Sequence, residues 1–260
     1  MIDLHSHILP GLDDGPSTME GSLELARAAV ASGTRTILAT PHIDGHFGIG
    51  PERIAEGLAE LTAALEQAAI PLEVRSGGEI AIWRLIDLDD ATLRALALGG
   101  GPHVLVESPF SPMVGDFEPM VLDLQQRGFR VLLAHPERCP AFQRDPGRLE
   151  RLVRAGALAQ VTAGSMAGAF GSTVRRFTVP LLREGLVHVV ASDAHDDRQR
   201  PPGLTIGFPA LERELPGIGA QQRWLTELAP AAILDGEPLP ERPPLPQAGG
   251  GLLRRLRLRA

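Results

Sequence analysis

Residues 1–15 read MIDLHSHILPGLDDG. IDLH at 2–5 predicts a short strand. His5 and His7 stand two apart, and in an extended chain such positions face the same side, so both imidazoles can reach one point. The following PGLDDG turns the chain with its proline and glycines and can bring Asp14 back over the strand's end, with Asp13 as a neighbour that shapes the loop. The run by itself fits either the first strand of an ordinary core or one side of a metal site, and the rest of the chain decides between them.

Working outward, the same strand-then-helix texture repeats. Further strand candidates are TILAT (36–40), LEVRSG (72–77), HVLVE (103–107), RVLLAH (130–135), LAQVT (158–162) and VHVVASD (187–193). Between them lie segments with helical spacing of apolar residues: 21–33, 51–69 with Pro51 at a first-turn position, 145–156 and 172–185. Such alternation predicts an α/β fold with a parallel sheet and right-handed crossovers. Seven strand units are too many for a small open sheet and fit a (β/α) barrel lacking one unit.

Metal-type residues gather where a barrel keeps its active site, at the carboxyl ends of the strands. His5, His7 and Asp14 belong to the first unit and His42 to the second. Glu79 belongs to the third, Glu107 to the fourth, His135 to the fifth, and Asp193 and His195 to the seventh. Taken alone, each is an unremarkable polar residue. Together they make nine candidate ligands from six strands, and only LAQVT contributes none. Charged groups at buried strand ends are costly unless paired or metal-bound. Imidazole mixed with carboxylate suits Mn, Zn or Fe, and no cysteine pulls the set toward a soft metal.

Composition narrows the classes. The hydrophobic fraction of 43% and charged fraction of 22% are those of an ordinary globular chain. A formal net charge of −7 argues against a nucleic-acid partner. Every basic residue is arginine and there is no tyrosine, so neither a lysine nor a tyrosine side chain can be catalytic. The lone Cys139 excludes an internal disulfide, no apolar run reaches the ~18 residues of a membrane span, and a strand at residue 2 leaves no room for a signal peptide. The expected location is cytoplasmic. Cys139 is not the nucleophile of a C-x5-R phosphatase, because Asp145 stands six residues on. GEPLPERPPLPQAGGG and LLRRLRLRA predict a Pro/Gly-rich linker and a basic tail over 236–260, with weak membrane-surface contact through the tail.

DLHSH, TPH, GGEI, AHPER and ASDAH, in this order, resemble the PHP superfamily of metal-dependent phosphoesterases. MIDLHSHILPGLDDGP, RTILATPH and LVHVVASDAH with the following RPP are similar to its bacterial tyrosine-phosphatase branch, the CpsB/YwqE type encoded with capsular and exopolysaccharide genes. The resemblance covers roughly 1–235. It implies a distorted (β/α)7 TIM-like barrel, the PHP fold, and a PHP phosphatase domain over 1–235. It also implies three divalent metal ions, manganese foremost with Fe, Zn or Mg as options. His5, His7, Glu79 and Asp193 would surround one ion. Glu79 would bridge to a second held by Glu107 and His135. Asp14, His42 and His195 would hold the third. Arg138 in HPER and Arg200 in RQRPP match the arginines that grip phosphate, and His42 and Asp14 are further catalytic candidates.

The implied activity is hydrolysis of phosphotyrosine in proteins by a metal-activated hydroxide. The implied substrate is a bacterial tyrosine kinase controlling polysaccharide synthesis and export. Two features depart from the branch. Cys139 follows HPER where an aromatic is common, and the loop IDGHFGIG is short and poor in basic residues. The rival reading is a PHP phosphoesterase for a small metabolite such as histidinol phosphate; a non-enzymatic regulator is a third. His103 and His188 read as early-strand residues far from the rim, and His46 as a loop contact.

Overall fold

The computed structural model describes residues 1–111 and 117–246. The chain order is β1 (Ile2–Ser6), α1 (Met19–Ala31), β2 (Thr36–Ala39), β3 (His42–Ile43), α2 (Pro51–Gln67), β4 (Glu73–Ser76), β5 (Glu79–Ala81), α3 (Asp90–Ala95) and β6 (His103–Glu107). It continues through α4 (Glu118–Gln126), β7 (Arg130–Ala134), α5 (Pro140–Arg144), α6 (Pro146–Arg154), β8 (Leu158–Thr162), α7 (Ala163–Ala167), α8 (Ser172–Arg183), β9 (Val189–Ala191), α9 (Gly207–Leu211) and α10 (Ala229–Asp235).

Two parallel sheets, β1-β2-β4 and β3-β5-β6-β7-β8-β9, make a distorted TIM-like barrel. A parallel bridge between Ser6 and Ala194 and the bond from the His7 N–H to the Ala194 carbonyl (2.8 Å) join β1 to the segment after β9. The second and third predicted strands are β2 and β4, and each is followed by a short strand that the sequence reading did not assign, β3 and β5. Pro41 separates the first pair and Gly77–Gly78 the second, where a Cβ on either glycine would sit 3.0 Å from a buried neighbour. The seven predicted units therefore stand, with β2/β3 and β4/β5 as split staves.

Alternation along the strands makes two cores. Leu4, Leu38, Leu105, Leu132, Val189 and Ala191 pack together with Ile233 and Leu234 of α10, while Val104, Val106, Val131, Leu133, Val161 and Val190 belong to the layer shared with the helices. α10 thus plugs one end of the barrel, and His103, at the start of β6, donates from Nδ1 to the Ile233 carbonyl (2.9 Å). Helix starts were partly legible. Pro51 opens α2, but α1 begins two residues before the predicted segment because Thr18 caps it, accepting the Gly21 N–H at 3.2 Å.

Residues 236–246, part of the stretch predicted as a linker, lie against the same end as α10. Arg242 donates to Gln221 Oε1 (2.7 Å) and to the Val187 carbonyl (2.8 Å), and its guanidinium lies 5.2 Å from the Trp224 ring. The Trp224 indole N–H donates to the Pro240 carbonyl (3.0 Å). The basic tail at 252–260 lies outside the described residues. Among the described residues no helix is long and apolar enough to cross a membrane.

Candidate metal centre

The loop after β1 returns over the strand. Gly15 makes this fit, since a Cβ there would stand on the His7 carbonyl oxygen. The loop thereby sets Asp13 Oδ2 2.6 Å from His7 Nδ1 and 3.0 Å from the His42 N–H. At two other strand ends the backbone itself is turned. His135 (φ 30°) and Asp193 (φ 55°) occupy the left-handed region, where non-glycine residues are uncommon and strained. Both side chains are buried in the cluster.

All nine predicted ligand candidates come together, in four overlapping groups whose donor atoms lie within 4.8 Å of one another: His5, His7 and Asp193; His5, Glu79 and His135; His42, Glu79 and Glu107; and His7, Asp14, His42 and His195. In the innermost set, His5 Nε2 and His7 Nε2 are 3.3 Å apart. Each lies 3.3–3.4 Å from Glu79 Oε2 and from Asp193 Oδ1. Ligand atoms bonded to one ion at ~2.1 Å stand roughly 3.4 Å apart at tetrahedral corners. Glu79 reaches outward as well, with Oε1 2.8 Å from His135 Nε2 and Oε2 3.0 Å from His42 Nδ1. Asp14 Oδ1 is 3.1 Å from His195 Nε2 and 3.5 Å from His42 Nε2.

The outer partners decide which nitrogens point inward. His5 donates from Nδ1 to Gln160 Oε1 (3.0 Å), His7 to Asp13 Oδ2 (2.6 Å), and His195 to the Asp193 carbonyl (3.0 Å). With Nδ1 donating, the neutral form of each imidazole turns an Nε2 lone pair toward the cluster. Buried lone pairs facing one another are unfavourable unless a cation lies between them. Glu79 Oε2 and His195 Nε2, although close to His42 and Asp14, are buried without an aligned hydrogen bond, and so is His135 Nδ1. The donor set therefore fits divalent ions.

Imidazoles and carboxylates answer one another. Burial opposes charge on His5 and His7, but Glu79 and Asp193 raise His5, and Asp13, Asp193 and Glu79 raise His7, above the ordinary histidine value. Burial opposes charge on Glu79, but His5, then His135 and His42, hold its carboxyl well below the usual range. Asp193 is likewise held low by His5, His7 and Arg200 against burial. Glu107, by contrast, is pushed up to about 8, first by burial and then by the charge of Glu79. Burial, then Arg138, bring His135 down to about 4, which keeps its imidazole neutral.

Arg138 and Arg200 meet at one atom, donating to Asp193 Oδ2 at 2.7 and 2.6 Å. Arg138 is held between the rings of Phe170 (4.4 Å) and Phe110 (4.9 Å), and Arg200 lies 5.9 Å from Phe170. His103 and His188 sit away from the rim, as predicted, and His46 meets the Phe47 ring edge-on at 5.0 Å. Cys139 is buried, its thiol pushed up by burial and directed at the Pro109 carbonyl. Sequence reasoning missed the positioning roles of Asp13 and Gln160 and the aromatic neighbours Phe47, Phe110 and Phe170. The visible signals were the second aspartate of DDG and a lone glutamine in the otherwise apolar LAQVT.

Fold and rim together define a TIM-like barrel protein whose mouth carries clusters of groups that could bind metal. A family model for capsular polysaccharide synthesis, CpsB/CapC, matches residues 1–226, and the chain belongs to that family. It is 36% identical over 247 residues to the tyrosine-protein phosphatase YwqE of Bacillus subtilis, covering 95% of this chain and 96% of that one. It is 29% identical over 221 residues to the tyrosine-protein phosphatase CpsB of Streptococcus pneumoniae, covering 82% and 90%. A chain from the crystal structures of YwqE and CpsB, described as unique metal-dependent tyrosine phosphatases, superposes with a TM-score of 0.83 at 37% identity, covering 95% of this chain and 99% of that one.

Proposed function

We propose that this protein is a metal-dependent phosphatase that hydrolyses phosphotyrosine in proteins. The observation that carries the reading is the convergence of nine imidazole and carboxylate groups beside two arginines on a barrel mouth, in a chain similar over nearly its whole length to tyrosine phosphatases. Three ions, manganese foremost, would be held by His5, His7, Glu79 and Asp193; by Glu79, Glu107 and His135; and by Asp14, His42 and His195. Bound divalent ions supply positive charge for a phosphate dianion and a supply of hydroxide near neutral pH.

The chain's own groups do the rest. Arg138 and Arg200 each spend one N–H on Asp193 Oδ2, and a guanidinium carries five donors, so the remaining N–H groups grip phosphate oxygens. Asp193 orients both forks, and the Phe170 and Phe110 rings keep Arg138 in place. Asp14 and His42 line the outer part of the mouth, where the leaving oxygen departs. A phenolic leaving group of pKa ~10 needs little help from an acid.

The physiological substrate in this reading is a bacterial tyrosine kinase of polysaccharide export, met in the cytoplasm. Residues 1–235 form the phosphatase domain, and the basic stretch 252–260 makes a weak contact with anionic membrane surface. The test is hydrolysis of phosphotyrosine peptide against histidinol phosphate after chelation and reconstitution with Mn, Fe, Zn or Mg. Preference for the peptide is expected, and a strong preference for histidinol phosphate overturns the reading. Arg138→Ala or His135→Ala should cost at least ~100-fold in kcat, the scale for removing one group that stabilises transition-state charge; full activity in either would contradict the assigned roles.

A further inference from the structure

The mouth carries two large aromatic side chains that the ion-holding groups do not explain. Phe47, after β3, is 36% exposed, and Phe110, after β6, is 44% exposed. Both are fixed to the cluster rather than scattered on the surface. Phe47 lies parallel to His42, with centroids 6.0 Å apart and planes 7° apart. Phe110 lies over His135 at 5.5 Å and 16°. His42 and His135 in turn stand beside different oxygens of the one Glu79 carboxylate, at 3.0 and 2.8 Å. The two rings therefore flank a single buried carboxylate, each standing on the solvent side of a more buried histidine.

We infer that Phe47 and Phe110 are specificity-determining walls for a planar aryl group on the phosphate ester. The inference rests on the phosphatase reading above and goes further by naming what selects the substrate class. A phosphate drawn to Arg138 and Arg200 has its ester oxygen directed out of the mouth, past these rings. An aryl substituent there meets aromatic faces in offset or edge-on contact, whereas an alkyl substituent gains little. Phe110 serves twice, since its other neighbour is the Arg138 guanidinium at 4.9 Å, so phosphate grip and ring recognition share one side chain. Phe47 has no arginine neighbour among the cation–ring contacts of the described residues and is the cleaner probe.

The test uses phenylphosphonate and ethylphosphonate as non-hydrolysable competitive inhibitors of the full-length, manganese-loaded protein, so that leaving-group chemistry does not enter. The readout is the ratio of the two inhibition constants. Wild type should favour phenylphosphonate. Phe47→Ala and Phe110→Ala should each shrink that preference about two- to tenfold, and Phe47→Leu, which keeps apolar bulk without a ring, should shrink it in the same direction. Should an alanine variant fail to fold, by circular dichroism, its leucine counterpart carries the measurement. Unchanged ratios in folded variants at both positions overturn the walls while leaving phosphotyrosine hydrolysis untouched. A wild type that fails to hydrolyse phosphotyrosine yet shows the ring-dependent ratio removes the protein substrate and keeps the walls.

Discussion

At the scale of single residues, orientation matters as much as donor type. Asp13 holds no place in the inner set, yet it fixes His7 through Nδ1 and ties the backbone of His42 to the same oxygen. Loss of such an outer partner typically weakens metal binding ~10–100-fold. Asp13→Asn should therefore raise the dissociation constant for manganese by that order, read by calorimetric titration, with activity recovering at high manganese. An unchanged constant would remove the positioning role. Gln160 does for His5 what Asp13 does for His7, with an amide in place of a carboxylate. This is why the one predicted strand without a ligand still contributes to the site.

At the scale of elements, the strand-to-loop junctions carry the chemistry. The return of the first loop depends on Gly15, and both Asp13 and Asp14 ride on it. Gly15→Ala should displace the loop, with a loss of activity far larger than any loss of helix content by circular dichroism; full activity would show that the loop can shift without moving its carboxylates. The strands were legible because parallel staves buried on both faces read as apolar runs. The nine donors were legible because strand-end polar residues in such runs stand out. The short strands β3 and β5, beyond Pro41 and Gly77–Gly78, were harder, because two or three residues set off by proline or glycine carry no period to read. The outer partners were harder still: Gln160 and His5 are 155 positions apart, and only folding brings them together. The proline-rich stretch reads as a linker by composition. What holds it down, the Arg242 and Trp224 hydrogen bonds, is a matter of geometry.

At the scale of the whole molecule, two linkages follow. Ions that bind the folded mouth and not the unfolded chain stabilise by mass action, about 2.7 kcal/mol at a hundredfold excess over the dissociation constant. Chelation should lower the melting temperature, and reloading with manganese should restore it; a melting temperature indifferent to both would contradict a metal centre. The second linkage is acid sensitivity away from the mouth. His188 accepts the Ala159 N–H on Nδ1 at 3.1 Å, so it must be neutral there, and burial, then Arg242, lower it to about 4. Burial also lowers His103 to about 4. In the unfolded chain both titrate near 6.5. The folded state thus binds fewer protons than the unfolded chain between these values, and the stability these residues confer is present above pH 6.5 and lost as pH falls toward 4. His188→Asn keeps an acceptor but cannot titrate, so its urea-unfolding free energy should fall less steeply from pH 6.5 to 4.5 than that of wild type in the same metal state. Parallel curves would show that His188 titrates normally.

The strap at 236–246 also gives the molecule a polarity. It is stapled beside Val187, ahead of β9, whereas the mouth opens past the other ends of the strands. Pro246 rests close to Gly217 on the strap's side. Pro246, the last of the described residues, thus stands at the pole opposite the mouth. Anchored from that pole, whether on a sensor chip or on a surface in the cell, the protein would present its open pole outward, with the approach of a large phosphorylated partner unobstructed by the anchor.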